Sequence, residues 1–235
     1  ALIAETDIDC VLVGDSVAMV VHGHDTTIPA DLEMMTTHTA AVRRGAPDAF
    51  VIGDMPFLSY RRGLAASVDA AGALMRSGAN AVKLEGAAGN LELIRHLVES
   101  GVPVMGHLGL TPQSVHQLGG FRVQAKNGRA AERLIEQAVE LEQAGCFAIV
   151  LEAIPAAVAE RATARMTIPT IGIGAGRHVD GQVLVLQDLL GVSTSYRPKF
   201  VRTWMDGSKM ITTALQSYHR DVTEGRFPNG GESYE

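Results

Sequence analysis

Apolar residues along this chain gather in short runs, separated by longer stretches with helical spacing. The runs are Cys10–Gly14, Phe50–Gly53, Ala81–Leu84, Val102–Met105, Cys146–Leu151, Thr170–Ile173 and Val183–Leu186. Each is a continuous apolar stretch rather than a strict alternation, which predicts parallel strands covered on both faces. Between them, Leu64 to Ser77 turns Val68, Ala71, Leu74 and Met75 to one side, and Gly78 stops the helix. Asn90 is placed to cap a helix carrying Leu91, Ile94, Leu97 and Val98, and Gly101 follows it. Arg129 to Ala144 faces Leu134, Ile135, Ala138 and Leu141 inward, with Glu132, Arg133, Glu136 and Glu140 outside. Pro155 fits the first turn of a helix over Ala156–Met166. Ser208 is expected to cap a last helix with Ile211, Leu215, Tyr218 and Val222.

Strand–helix repetition without a break in composition predicts one α/β domain over residues 1–235, with 225–235 as a loose tail. The length of 235 residues is close to the roughly 250 of a (β/α)8 barrel. A doubly wound sheet fits the same alternation; the polar residues favour the barrel. Nearly every run ends in a polar residue with Gly or Pro beside it. The ends read VLVGDS (Asp15, Ser16), VIGDMP (Asp54), VKLEG (Lys83, Glu85), VMGHLG (His107) and IVLEAIP (Glu152). In a parallel barrel these ends meet on one face, which brings residues from five distant segments to one bowl.

Each member has a bland alternative. Asp15 and Asp54 suit a hard cation such as Mg²⁺, which takes one or two carboxylates and keeps several waters. They suit equally a turn or a helix cap. Lys83 and Glu85 are two apart, so both point to one side of a strand, either as a structural ion pair or as an anion contact and a metal helper. His107 is either a satisfied core histidine or a donor to substrate oxygen. Glu152, after an apolar run, suits a general base or a cap for the next helix. His22-Gly-His24 reads as loop hydrogen bonding rather than a second metal site. GIGAG (Gly172–Gly176) is not a dinucleotide fingerprint, though it would let a ligand come close to the backbone.

Charge and cysteine content remove other classes. A formal charge of −6 disfavours nucleic acid. No apolar run reaches the roughly 18 residues of a membrane span. Cys10 and Cys146 lie in apolar runs without zinc spacing and predict reduced thiols in a cytoplasmic protein.

The same strand ends resemble the ketopantoate hydroxymethyltransferase family. The resemblance rests on LVGDS (Leu12–Ser16), GHDTTIP (Gly23–Pro29), HTAAVRRGAP (His38–Pro47), DMPF (Asp54–Phe57), VKLEG (Val82–Gly86), GHLGLTPQSV (Gly106–Val115), GGFRVQ (Gly119–Gln124), GIGAG, DGQVLV (Asp180–Val185) and PKF (Pro198–Phe200). It covers nearly the whole chain. It implies a (β/α)8 TIM barrel of the phosphoenolpyruvate/pyruvate type, Mg²⁺, a 2-oxo acid substrate and 5,10-methylenetetrahydrofolate as one-carbon donor. It also implies a homo-oligomer, a decamer in family members, in pantothenate synthesis. By resemblance, Asp15 and Asp54 hold Mg²⁺ with help from Glu85. Ser16, Asp54 and Lys83 contact the oxo acid, and Glu152 accepts the proton.

Three departures stand out. The family's first strand would lie before Ala1, so an N-terminal segment is expected to precede this sequence. Ala125, followed by Lys126-Asn127-Gly128, stands where the family has glycine, and Ala87 replaces a second glycine. Two rival readings remain open at this point: a related barrel that cleaves a 2-oxo acid without folate, and a non-catalytic barrel that binds a metabolite.

Overall fold

The computed structural model describes residues 1–193 and 198–234. Glu235, the end of the expected tail, lies outside them. The chain divides into two compact units, Ala1–Val183 and Leu184–Glu235.

The first unit holds a sheet of seven strands: β1 (Cys10–Val13), β2 (Phe50–Asp54), β3 (Ala81–Lys83), β4 (Val104–Gly109), β5 (Ala148–Glu152), β6 (Thr170–Ile173) and β7 (Gly181–Gln182). Their spatial order is the chain order, and every pairing is parallel. That succession is how a (β/α)8 barrel is wound. β1 and β7 form the two edges of the sheet. The connections carry α1 (Val17–Val20), α2 (Leu32–Gly45), α3 (Leu64–Arg76), α4 (Leu91–Glu99), α5 (Val115–Leu118), α6 (Gly128–Gln143) and α7 (Ala156–Thr163).

Side chains alternate between two cores, because successive strand residues point to opposite faces. Val51, Val82, Val104, Ile149 and Leu151 belong to the larger core, with Leu74 of α3, Ile94 and Leu97 of α4, Leu141 of α6 and Ala159 of α7. Ile52, Ala81, Met105, Ala148 and Val150 form a separate buried cluster, with Leu12, Ile171 and Ile173 against it. This second cluster is the inner face of the sheet. Register carries it from strand to strand: Ile52 lies beside Ala81, and Met105 beside Ala148.

Several boundaries differ from the sequence reading. The fourth strand is Val104–Gly109, not Val102–Met105. Pro103 has no N–H to give to a ladder, and pairing starts after it. His107 therefore lies within a strand, beside Val150. The seventh strand is Gly181–Gln182, upstream of the expected Val183–Leu186, where only Val183 N–H continues the pairing to Gly172. Leu186 instead begins α8 (Leu186–Leu189) in the second unit. Asn90 precedes α4 without capping it; its Nδ2 donates to the carbonyls of Glu85 and Gly86 and ties down the loop after β3. Pro155 is the residue before α7, and that helix ends at Thr163 rather than Met166. In the second unit, α9 (Gly207–Thr223) starts after Asp206, so Ser208 lies inside its first turn.

The sequence reading left α2 undescribed, and its role is structural. Arg43, near its end, donates Nε to Gly78 O at 2.8 Å and Nη1 to Pro47 O and Ala49 O at 2.7 and 2.9 Å. Nη2 reaches Asn80 Oδ1, which also accepts from Val51 N–H at 2.9 Å. One guanidinium thus closes the turns that lead into β2 and β3. A lysine keeps the charge but cannot present this fork. Arg43→Lys is expected to lower the stability by about 1–3 kcal/mol in urea unfolding. An unchanged midpoint and slope would show that these bonds contribute nothing.

Ala125 sits at φ +52°, in the left-handed region. A Cβ there costs about 1–2 kcal/mol. Glycine relieves that cost but gives back part of it through a freer unfolded chain. Ala125→Gly should therefore raise the stability by roughly 0.5–1 kcal/mol. A drop in the unfolding midpoint would contradict the assigned backbone conformation.

Candidate active site

The inner face changes character along the strands. Its first layers are apolar; two residues further on, β2 presents Asp54, β3 Lys83, β4 His107 and β5 Glu152. Leu84 and Gly86 continue the pairing beyond β3 through Met105 O and His107 O, which keeps Glu85 on the same side as Lys83. Asp15 follows β1 and leads into α1. Asp15, Asp54, Lys83, Glu85 and His107 are all buried, at 4% exposure or less.

These groups form a connected array. Asp54 Oδ1 meets Lys83 Nζ at 2.8 Å, and Asp54 Oδ2 accepts from Asp15 N–H at 3.3 Å. Lys83 Nζ is 3.4 Å from His107 Nδ1, which is 3.6 Å from Glu85 Oε1. His107 Nε2 lies 3.1 Å from Glu152 Oε2, within ion-pair range but without an aligned hydrogen bond. Burial raises the Asp15 carboxyl well above its usual range, reinforced by Asp54. Burial raises Asp54 as well, with Lys83 opposing. For Lys83, burial favours the neutral amine, but Asp54, Glu85 and Asp15 outweigh it and hold the ammonium form. Burial and Lys83 oppose a charge on His107, yet Glu152 and Glu85 raise it to about 9.

The sequence-derived residues Asp15, Asp54, Lys83, Glu85, His107 and Glu152 thus come together. Ser16 joins only as the neighbour of Asp15, half-buried at the start of α1, and its hydroxyl caps no helical N–H. Glu152 does not cap α7 and remains the most open of the six, with its side chain 16% exposed. His22 Nε2 is bonded to His38 at 3.0 Å, as expected of a loop contact. Gly176 of GIGAG sits at φ +84°, and a Cβ there would lie 2.4 Å from Ala156 Cβ. The missing Cβ lets the loop pack closely on α7.

Two members of the site had no role in the sequence reading. Gln113, in a 3-10 turn at Pro112–Ser114, donates Nε2 to Asp15 Oδ2 at 2.8 Å and to Met55 O at 2.9 Å. Tyr60 OH donates to Gln113 Oε1 at 2.7 Å. A neutral glutamine on a loop has no spacing or charge signature; its only mark was its place in GHLGLTPQSV. A cavity of about 520 Å³ opens between segments 28–32 and 56–59, with Phe57, Leu58 and Arg62 on its wall and none of the array residues lining it.

Among the described residues, no three His, Cys, Asp or Glu side chains form a ready-made metal cage. Mg²⁺ does not need one, since it binds through one or two carboxylates and retains waters. Asp15 and Asp54 are buried carboxylates joined by the Asp15 backbone N–H, and Glu85 Oε1 is buried without a hydrogen-bond partner. This donor set fits a small hard cation.

The fold and this site define a class. The structure is similar to phosphonopyruvate hydrolase, with a TM-score of 0.60 and 8% identity over 100% of this chain and 82% of that one. It is similar to 2,3-dimethylmalate lyase of the PEP mutase/isocitrate lyase superfamily, with a TM-score of 0.54 and 15% identity over 100% and 81%. The chain thus has a parallel α/β fold of the barrel type. In sequence it is far closer to one group. The ketopantoate hydroxymethyltransferase profile matches residues 1–230. The 3-methyl-2-oxobutanoate hydroxymethyltransferase of Bdellovibrio bacteriovorus is 58% identical over 99% of this chain and 89% of its own. That of Coxiella burnetii is 52% identical over 97% and 86%, and that of Francisella tularensis 51% over 100% and 89%. The chain belongs to the ketopantoate hydroxymethyltransferase family, and so to the hydroxymethyltransferases that form ketopantoate in pantothenate biosynthesis.

Backbone geometry at Glu152 is tightly constrained. Gly109 lies beside it in the register, at φ +94°, and a Cβ there would come within 2.2 Å of Glu152 O. Ala153, next in the chain, is itself at φ +47°. Gly109→Ala is expected to push β5 away at its end, costing about 2–4 kcal/mol of stability and at least about tenfold in turnover. Wild-type stability and turnover would show that the approach is not a constraint.

Proposed function

We propose that Glu152 is the base that takes the proton from C3 of 3-methyl-2-oxobutanoate. The carrying observation is the linked array from Asp15 to Glu152, which joins a cation-fitting pair of carboxylates to a more open carboxylate through Lys83 and His107. Asp15 and Asp54, with Glu85, would hold Mg²⁺, which supplies a Lewis acid for the keto group when bound. As the C3–H bond breaks, its proton goes to Glu152 and its electron pair becomes the C2–C3 double bond. Lys83 offers its ammonium group to the oxygen that becomes negative. Ser16 and Asp54 help to position the oxo acid. His107, 3.1 Å from Glu152 through Nε2, would pair with that carboxylate or donate to substrate oxygen. C3 then bonds to the methylene carbon of 5,10-methylenetetrahydrofolate as one of its two C–N bonds breaks; the oxygen of a water replaces the second nitrogen, the two nitrogens regain protons from Glu152 and that water, and ketopantoate and tetrahydrofolate leave.

We further propose that the protein works in the cytoplasm as a homo-oligomer, a decamer as the family resemblance implies. Both cysteines are unpaired, and no helix among the described residues is long and apolar enough to cross a membrane. Ile211, Leu215, Tyr218 and Val222 lie exposed along α9, an apolar stripe of the kind that subunit contacts cover.

The test is proton NMR of 3-methyl-2-oxobutanoate with the protein and Mg²⁺ in D₂O, with and without methylenetetrahydrofolate. The C3 proton signal should fade without folate, and a hydroxymethyl signal should grow with it. Glu152→Gln should slow the exchange by about 10²-fold or more while Mg²⁺ affinity is kept. Exchange at the wild-type rate in that variant would take the role of base from Glu152.

A further inference from the structure

Gln113 is 4% exposed, and every polar atom of its side chain is engaged. The sense of its amide is settled by its partners. One end faces a backbone carbonyl and a carboxylate oxygen, so that end must be the NH₂ group with both hydrogens used. The other end faces Tyr60 OH, so it is the carbonyl oxygen, and the tyrosine donates. Its own backbone N–H donates to Glu85 Oε2 at 3.1 Å. A single residue on the loop after β4 thus ties Asp15 after β1, Met55 after β2 and Glu85 after β3.

We infer that Gln113 is a positioning residue for the cation site: it holds Asp15 by Oδ2, turns Oδ1 toward the ligand position, and is itself locked by Tyr60. This rests on the metal reading above. The amide is the group the position requires. A carboxylate there would set oxygen against Asp15 Oδ2 and Met55 O. An aliphatic side chain would leave Asp15 Oδ2, Met55 O and Tyr60 OH without a partner. Asp15 would then be free to rotate, and the cation would lose part of its preorganised site. The backbone bond to Glu85 does not depend on the side chain, so binding should weaken rather than vanish.

The experiment is titration of the full chain with Mn²⁺ or Mg²⁺ alone, followed by calorimetry or by the spectrum of free Mn²⁺. Gln113→Leu should bind the metal about 10–100-fold more weakly. Its turnover should fall at low Mg²⁺ and recover most of the loss at excess Mg²⁺, a response that mere loosening of the fold would not produce. Tyr60→Phe, which removes only the lock, should weaken binding by about fivefold, the worth of one neutral hydrogen bond. Unchanged affinity in a folded Gln113→Leu protein would overturn the role. Should that variant fail to fold, unchanged affinity in Tyr60→Phe would overturn it instead. Absence of metal binding by the unaltered protein would remove the metal reading and this role together. Tight binding by the unaltered protein with equally tight variants would remove this role alone.

Discussion

Lys83 carries an ammonium group into the inner face of a parallel sheet, 3% exposed, and the surrounding structure is arranged around that charge. An unpaired ion in such a place would cost several kcal/mol. Asp54 meets it at 2.8 Å because β2 and β3 pair with Asp54 directly beside Lys83. The same register places Ile52 beside Ala81 in the inner apolar layer, and turns Val51 and Val82 to the helices. A slip of one residue would drive the lysine into the outer core and the valines inward. Ion pair, inner layer and outer core are one constraint seen from three sides.

Strand ends were legible because they combine two strong signals. A continuous apolar run marks the buried strand, and a charged residue at its close, with Gly or Pro within three residues on either side, marks the exit. Asp15, Asp54, Glu85 and Glu152 all carry both, and all join the array. His107 was placed at an exit but lies inside β4. The chain there reads VMGHLG, and its glycines blur where the strand begins and ends. The expected seventh strand failed for a related reason. Val183 to Leu186 is apolar enough for a strand, but Gly181 and Gln182 make the pairing with β6, and Leu186 starts a helix. Periodicity reports burial and cannot say which of two adjoining segments makes the ladder.

Other parts of the molecule depend on contacts that no local pattern encodes. Arg43 stands in HTAAVRRGAP, a segment with motif character but no chemistry at the site. Its guanidinium closes the turn just after its own helix and another 35 residues further along the chain. Gln113 is the same kind of case within the site, an uncharged residue whose meaning is the set of groups it joins. Gly109 and Ala153 add a third kind. Both take left-handed backbone next to Glu152, and the sequence signals the first by its glycine but gives no sign of the second.

The order of groups along the array carries the last step. Asp15 and Asp54 lie at one end, Glu152 at the other, with Lys83 and His107 between. If the cation and the oxo acid's two polar groups occupy the first end, the carbon next to the keto group lies toward the second. Lys83 then sits beside the oxygen between them, where charge gathers as the proton leaves. The ammonium that makes the sheet register obligatory is, on this reading, the same group that steadies the reaction. Its partner Asp54 serves both ends of that bargain, since one oxygen neutralises Lys83 and the other faces Asp15. A site built this way cannot relax its electrostatics without disturbing its fold.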